Sequence, residues 1–333
     1  MDGWSTASDP QWQQTPPQQA PPRRVNPLTL GDILDGMFRL LLANWRVYLI
    51  ALGIIVIPFN VVTGWLTSEA VGGVDFWTDM FRNPMQPTTE PAEPSPTLGG
   101  SFFALQFLST FVVTPITWGL ATHLAVGAYE GRELSVGGVW RATLRRFWAL
   151  LGLMLLLGLI LFATIFVGAL VAGGTAAVAP VAVAVVVGLA VFCGAVFFLV
   201  KLSLPVPALV AEGVGPGTAL GRSWALVRGR FWRTLGTLGV MVLILSVLSL
   251  VFIAGFALVG ALFGSTGAIV AGIIGSFVVG MLTTPLTFNA LTLLYYDSRI
   301  RGEAYDLDVI TEQVAYQPSS GQGGPPAPES PFG

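Results

Sequence analysis

Six apolar stretches, each long enough to cross a membrane, restrict the fold of this 333-residue chain more than any other feature. A helix needs about 20 apolar residues to span the hydrocarbon core of a bilayer. Only 10% of the residues are charged, whereas a soluble domain carries about 25%. The sequence therefore predicts an all-α integral membrane protein with six transmembrane helices. The predicted spans are residues 48–66, 102–126, 148–171, 177–200, 235–258 and 269–294.

One short pattern recurs where a polar segment meets an apolar stretch. Residues Trp140 to Trp148 read W-R-A-T-L-R-R-F-W, and Trp224 to Trp232 read W-A-L-V-R-G-R-F-W. A weaker copy, M-F-R-L-L-L-A-N-W, ends at Trp45. Apolar residues in each copy recur at helical spacing while the basic residues avoid that face, which is typical of an amphipathic helix at a membrane surface. The copies predict three helical hairpins, each preceded by an amphipathic interfacial helix.

The first interfacial helix has a start signal in the sequence. Thr29 and Asp32 have the spacing of a capping box, and an apolar stripe from Ile33 to Trp45 follows them. We interpret this segment as a separate surface helix. The alternative is that it forms the beginning of one long, kinked spanning helix.

The apolar stretches divide the chain into one membrane domain and two tails. Residues 1–26 and 313–333 are rich in proline with glutamine or glycine, so they cannot bury enough apolar surface to fold and are predicted to be disordered. Residues 27–312 form the six-helix membrane domain, in which residues 69–100 make a Pro-rich outer loop. Shorter connections are predicted at residues 172–176 and 260–267.

The distribution of basic residues predicts the orientation. Of the 16 lysines and arginines, only Arg82 lies in a predicted outer loop. The positive-inside rule therefore places both termini in the cytoplasm, which requires an even number of spans. Six spans satisfy this requirement.

Three polar residues inside the predicted spans form a candidate intramembrane polar site: His123, Asn60 and Asn289. Such residues are functional hypotheses in a membrane protein. His123 could relay a proton or hold a substrate group, but we favour a hydrogen bond to a neighbouring helix or to interfacial water. We interpret Asn60 and Asn289 as partners in interhelical hydrogen bonds.

Arginines cluster beside the tryptophans of the repeated pattern. Each basic residue near an anionic leaflet contributes about 1 kcal/mol to membrane binding, although these residues could also serve topology alone. The candidate contacts to lipid headgroups are Arg141, Arg145, Arg146, Arg228, Arg230 and Arg233. In the sixth span, a row of small residues (Gly272, Ser276 and Gly280) predicts close helix packing, within the chain or between copies.

The sequence carries no recognisable catalytic constellation. One histidine and one cysteine exclude a multi-histidine metal centre and a disulfide framework, and no phosphate-binding glycine loop or nucleophile elbow is present. We interpret carboxylates such as Glu130 and Asp297 as solvated ion pairs at helix ends. We therefore expect no enzymatic activity, metal, cofactor or nucleic-acid partner. The expected partners are membrane lipids and a candidate protein at the cytoplasmic face.

Three segments together resemble a known family. They are L-T-L-G-D-I-L-D-G from Leu28, R-S-W followed by R-G-R-F-W from Arg222, and L-Y-Y-D-S-R-I-R from Leu294 with a later Asp306-Leu307. They resemble the membrane domain attached to some bacterial glycerophosphoryl diester phosphodiesterases, over roughly residues 27–308. The resemblance implies a stand-alone membrane module in a bacterial cytoplasmic membrane. It carries over no catalytic residue, because the family's hydrolase is a separate soluble domain that this chain lacks.

Two functions remain open from the sequence. The first is a non-enzymatic anchor, scaffold or regulatory module at the cytoplasmic face. The alternative is a transporter or lipid-handling protein, with a path lined by the proline-broken second, fourth and sixth spans. These carry Pro115, Pro205 and Pro285, and discontinuous helices at matching places in repeats often mark a binding site.

Overall fold

The computed structural model describes residues 28–70, 96–178 and 181–303. This part of the chain is helical and contains no strand. We number its α-helices α1 to α11, and a π-helical turn at Ser109–Val113 joins α3 to α4. The helices are Leu30–Ala43, Trp45–Ala70, Pro96–Leu108, Thr114–Tyr129, Val136–Arg145, Phe147–Val178, Val181–Lys201, Pro205–Glu212, Pro216–Val227, Phe231–Leu262 and Gly264–Glu303.

Six segments of the described chain are long and apolar enough to cross a membrane, as predicted. They form three hairpins: α2 packs against α3, α6 against α7, and α10 along α11. The short helices α1, α5 and α9 precede the hairpins. The spans are Trp45–Gly64, Phe103–Tyr129, Phe147–Val171, Val185–Glu212, Phe231–Leu262 and Val270–Gly302.

The first short helix is separate from the span that follows it. The Thr29 side chain accepts a hydrogen bond from the Asp32 amide, and the Asp32 carboxylate accepts one from the Thr29 amide, which completes the predicted capping box. The helix ends at Asn44, and α2 begins at the next residue. The surface-helix interpretation is therefore confirmed, and the single kinked helix is wrong.

Several connections are shorter than predicted. The predicted loop at residues 172–176 is helical, because α6 continues to Val178. The turn between α10 and α11 contains only Phe263 rather than residues 260–267, and α3 already begins at Pro96. Glycine and alanine continue a helix in an apolar segment, since backbone groups in lipid must be hydrogen-bonded internally. Both predicted tails, residues 304–312 and residues 71–95 of the outer loop lie outside the described residues.

The tryptophans that end the repeated pattern share one environment. Trp45, Trp148 and Trp232 are 51%, 78% and 80% exposed at the starts of α2, α6 and α10. By contrast, the indole of Trp140, at the beginning of its copy, donates a hydrogen bond to the Ala51 carbonyl of α2 at 3.1 Å. Each copy is thus a joint between a short helix and a span, and an outward tryptophan marks the joint.

The small-residue row of the sixth span does not mediate packing within the described chain. No atom lies within 4 Å of a Cβ built at Gly272 or Gly280, apart from the helix's own backbone. Other glycines make the close contacts instead. A Cβ at Gly168 would lie 2.3 Å from Val191 in the α6–α7 hairpin, and one at Gly275 would lie 3.0 Å from Phe256.

Candidate functional site

A buried carboxylate joins the two ends of the described chain. Asp297, near the end of α11, is 1% exposed. It accepts hydrogen bonds from the Leu28 amide at 2.8 Å, from Arg233 Nη2 at 2.9 Å and from Arg301 Nε at 2.9 Å. Both arginines also donate to the Leu28 carbonyl. The interpretation of Asp297 as a solvated carboxylate is therefore wrong, because three elements converge on it.

Two tyrosines of α11 hold further carboxylates at the same end of the bundle. The Tyr295 hydroxyl donates to Glu212 at 2.7 Å, and Arg222 donates to both oxygens of that carboxylate at 2.8 Å. The Tyr296 hydroxyl donates to Glu130 at 2.8 Å. These bonds tie α11 to the ends of α8 and α4. These bonds give the polar end of the bundle a structural role.

The three predicted intramembrane polar residues have separate partners. Asn289 joins helices as predicted: it accepts from the Tyr48 hydroxyl at 2.6 Å and donates to the Met37 carbonyl at 3.0 Å. Asn60 donates to Val56 of its own helix. His123 Nδ1 lies 2.8 Å from the Gly119 carbonyl oxygen and 3.3 Å from the Thr143 hydroxyl of α5. The described contacts therefore do not combine these residues into one site.

The six candidate arginines fall into two groups. Arg230 donates to the carbonyls of Ser298 and Arg301, Arg233 binds Asp297 and Leu28, and Arg146 donates to the Leu209 carbonyl at 3.3 Å. These three have structural partners. The other three are exposed and form no ion pair with the described residues: Arg141, Arg145 and Arg228.

An open cavity lies among the second, third, fourth and sixth spans. We call it the lateral cavity; its volume is about 880 Å³, which is within the size range of small-molecule sites. None of the described residues that line it is charged. Some lining side chains, such as Leu159, Phe162 and Leu199, are 57–63% exposed on the outer surface of the bundle. The cavity therefore reaches the surface that faces lipid in a membrane.

Segments beside all three prolines line the lateral cavity, although α11 continues through Pro285 without the predicted break. Pro205 lines it directly at the start of α8. Thr110, in the π-helical turn that precedes Pro115, lines a second part. Thr284, next to Pro285 in α11, lines a third. The three prolines are buried, so they face protein rather than lipid.

The apolar wall carries a few polar groups. The Ser203 hydroxyl donates to the Val200 carbonyl near the end of α7, and the hydroxyls of Thr283 and Thr287 donate to carbonyls of their own helix. The Trp118 indole N–H and the Thr284 hydroxyl have no hydrogen-bond partner among the described residues, and both side chains line the cavity. Trp118 is held in place by the Phe288 ring, at a centroid distance of 5.4 Å. The site thus offers an apolar volume with two free donors.

Comparison with protein families gives one match. Residues 88–298 match a family described as a domain of unknown function, DUF7847. The chain belongs to this family. The match covers α3 to α10 and most of α11, and therefore every residue that lines the lateral cavity. The DUF7847 family is defined without an assigned activity, so the match establishes kinship and not function.

Neither of the other comparisons finds a relative. No curated protein matches the chain, and no solved structure matches it.

The sequence predicted some of these residues and missed others. It pointed to the proline breaks, to the arginines and to Asn289. It missed Trp118, Glu212 and the central position of Asp297. Trp118 follows the Thr-Pro-Ile-Thr break directly, which was the available signal for it.

Proposed function

We propose that this protein binds a membrane lipid and inserts an acyl chain into the lateral cavity. The observation that carries the proposal is the meeting of three proline-containing spans at one uncharged cavity of about 880 Å³ that reaches the lipid-facing surface. We thus favour the lipid-handling function over an anchor or scaffold function.

The chemistry of the wall suits an acyl chain. Each methylene removed from water contributes about 0.8 kcal/mol, but a chain that moves from bilayer into protein gains little from this effect, because both surroundings are apolar. Selectivity for a particular lipid must then come from the shape of the cavity and from its polar groups. The free donors of Trp118 and Thr284 suit the carbonyl oxygens of an ester-linked lipid.

We also propose that the lipid is handled without chemical conversion. The titratable residues of the described chain lie outside the wall of the lateral cavity, and no group of three potential metal ligands occurs among the described residues. The resemblance to the membrane domain of glycerophosphoryl diester phosphodiesterases supports the same view, since the hydrolase is a separate domain there. Kinship with that domain remains a proposal.

The charge distribution supports a placement in the membrane. The Asp297 network, the Glu212 network and the exposed arginines of α5 and α9 all lie at the end of the bundle where α11 finishes. We propose that this end faces the cytoplasm of a bacterial cytoplasmic membrane, with both termini on that side. Cysteine scanning with an impermeant maleimide would test the orientation, with the native Cys193 replaced.

One observation supports a scaffold function as a second candidate. Arg141 and Arg228 are exposed at the joints and form no ion pair with the described residues. They would suit an acidic partner protein at the cytoplasmic face. Reproducible co-purification of one protein with the wild type, lost in an Arg141→Gln/Arg228→Gln variant, would support this second candidate.

The lipid proposal is tested by filling the cavity. Gly158 lines it, and a Cβ at this position meets no atom within 4 Å. A Gly158→Phe side chain would occupy space that an acyl chain needs. Overpacking of this kind costs about 1–3 kcal/mol, which corresponds to roughly fivefold to hundredfold weaker binding. We expect that change in a native mass spectrometry titration of delipidated protein with phosphatidylcholine.

Gly173→Phe is the matched control. Gly173 lies on the same helix, has open space around its Cβ and does not line the cavity. This variant should bind lipid as the wild type does. Equal binding by all three proteins would refute the proposal, and so would a delipidated wild type that takes up no lipid.

A further inference from the structure

A second cavity lies among α4, α5, the beginning of α6 and the loop between α8 and α9. Its volume is about 600 Å³, and it shares no lining residue with the lateral cavity. We call it the arginine cavity, because its ionisable lining residues are His123, Arg145 and Arg146, with no carboxylate. A cavity with this lining suits an anion.

Arg146 is held in place by the fold. It is the C-terminal cap of α5, and its Nη1 donates to the Leu209 carbonyl at 3.3 Å. A Cβ at Gly213 would lie 2.6 Å from Arg146 Nη2, and Gly213 has a backbone φ of +73°. The positive φ favours glycine there, and the guanidinium lies close to this glycine. An arginine positioned in this way loses little conformational entropy when it binds a ligand.

Other donors beside Arg146 are unused. With Nδ1–H donating to the Gly119 carbonyl, Nε2 of neutral His123 is an acceptor and adds no donor to the cavity. Arg145 is exposed, and none of the described residues accepts a hydrogen bond from it. Gly215, the N-cap of α9, provides no capping side chain, so the amides of Gly217 and Thr218 have no side-chain cap, whereas Pro216 has no N–H.

The nearby carboxylates are already neutralised. Glu212, next to Gly213 in the chain, receives two hydrogen bonds from Arg222 and one from Tyr295. Glu130 pairs with Arg132 and with the Tyr296 hydroxyl. The positive charge of the arginine cavity is therefore not compensated by the described acidic residues around it.

We infer that the arginine cavity binds a phosphate group, carried either by a lipid headgroup or by a free anion. A planar guanidinium forms paired hydrogen bonds with phosphate oxygens, and these charge-assisted bonds are among the strongest in proteins. The inference does not depend on what occupies the lateral cavity.

Two binding measurements test the inference and separate the two sources. In detergent, the protein is titrated with inorganic phosphate by isothermal titration calorimetry. In phosphatidylcholine nanodiscs with added phosphatidate, bound phosphatidate is counted by native mass spectrometry. Binding in both shows that the phosphate group alone suffices, whereas binding only in nanodiscs identifies a lipid headgroup. Absence of binding in both would overturn the inference.

Variants locate the site. Arg145→Gln should weaken binding roughly ten- to hundredfold, the effect of losing a charge-assisted hydrogen bond. Arg141→Gln is the matched control, because this exposed arginine lies on the same helix but outside the cavity lining. Its affinity should stay within twofold of the wild type, since charge outside the cavity contributes only weakly.

A neutral substitution separates geometry from net charge. Gly213→Ala should also weaken binding, because the added Cβ displaces the Arg146 guanidinium. Its effect should be smaller than that of Arg145→Gln, since both guanidinium groups remain present. Each variant should elute from a size-exclusion column as the wild type does, which shows that it is folded. If Gly213→Ala fails to fold, the result for Arg145→Gln, at an exposed position, tests the inference by itself. Equal weakening by Arg141→Gln and Arg145→Gln would overturn the inference, because it would mean unspecific attraction to the basic surface.

Discussion

Replacing Asp297 by asparagine should destabilise the protein by about 3 kcal/mol. The substitution keeps the shape of the side chain but removes the charge that holds Arg233 and Arg301 at 2.9 Å each. Two charge-assisted hydrogen bonds correspond to roughly 3–6 kcal/mol. The arginine side chains are 36% and 28% exposed, so water partly replaces the lost partner and the lower end of the range applies.

The free energy of unfolding can be measured by titration of the detergent-solubilised protein with sodium dodecyl sulfate, followed by circular dichroism. Asp35→Asn is the matched control, since Asp35 is exposed on α1 and has no ion-pair partner among the described residues. It should change the free energy of unfolding by less than about 0.5 kcal/mol. An Asp297→Asn effect no larger than that of Asp35→Asn would contradict the structural role of this carboxylate.

A double-mutant cycle isolates the contact itself. Arg233→Gln and Asp297→Asn should be less destabilising together than the sum of their separate effects, with a coupling of about 1–3 kcal/mol. Strict additivity would mean that the two residues contribute independently, in conflict with the 2.9 Å contact.

Two further substitutions follow from the hydrogen bonds. Asn289→Leu leaves the Tyr48 hydroxyl and a buried carbonyl without their partner, so it should lower the free energy of unfolding by about 2–4 kcal/mol in the same titration. Asn60→Leu loses only a bond within its own helix and should lower it clearly less. Equal effects of the two substitutions would count against the interhelical role of Asn289. Thr29→Ala removes the N-cap of α1 and should cost about 1 kcal/mol, whereas no change would show that the cap is dispensable.

The helices that the sequence predicted well are those with a strong local signal. Six apolar stretches and three amphipathic helices follow from periodicity, and the cap of α1 follows from Thr29 and Asp32. The wrong predictions also concern short segments. The segment 172–176 contains the glycines and the threonine of a turn, yet it is helical, because in an apolar setting the need for internal hydrogen bonds outweighs local propensity.

The polar residues were harder to assign, because their roles depend on partners far along the chain. Asp297 lies among arginines in the sequence, where a solvated ion pair is the natural interpretation; its burial follows from Leu28, which is 269 residues away. Arg230 and Arg145 both lie in copies of the same pattern, yet only Arg230 is bound by α11. Pro205 lines the lateral cavity, but the cavity also requires the packing of α6 against three other spans, which the positions of the prolines do not predict.

The bond between Leu28 and Asp297 also dictates an order of events during synthesis. Its two residues are separated by 269 positions, so a ribosome that adds 5–20 residues per second makes the second roughly 13–54 s after the first. During that interval α2 can pack against α3 and α4, but α1 lacks its main docking surface, because α11 does not yet exist. The first helix of the described chain is therefore fixed in place only after the last one is made.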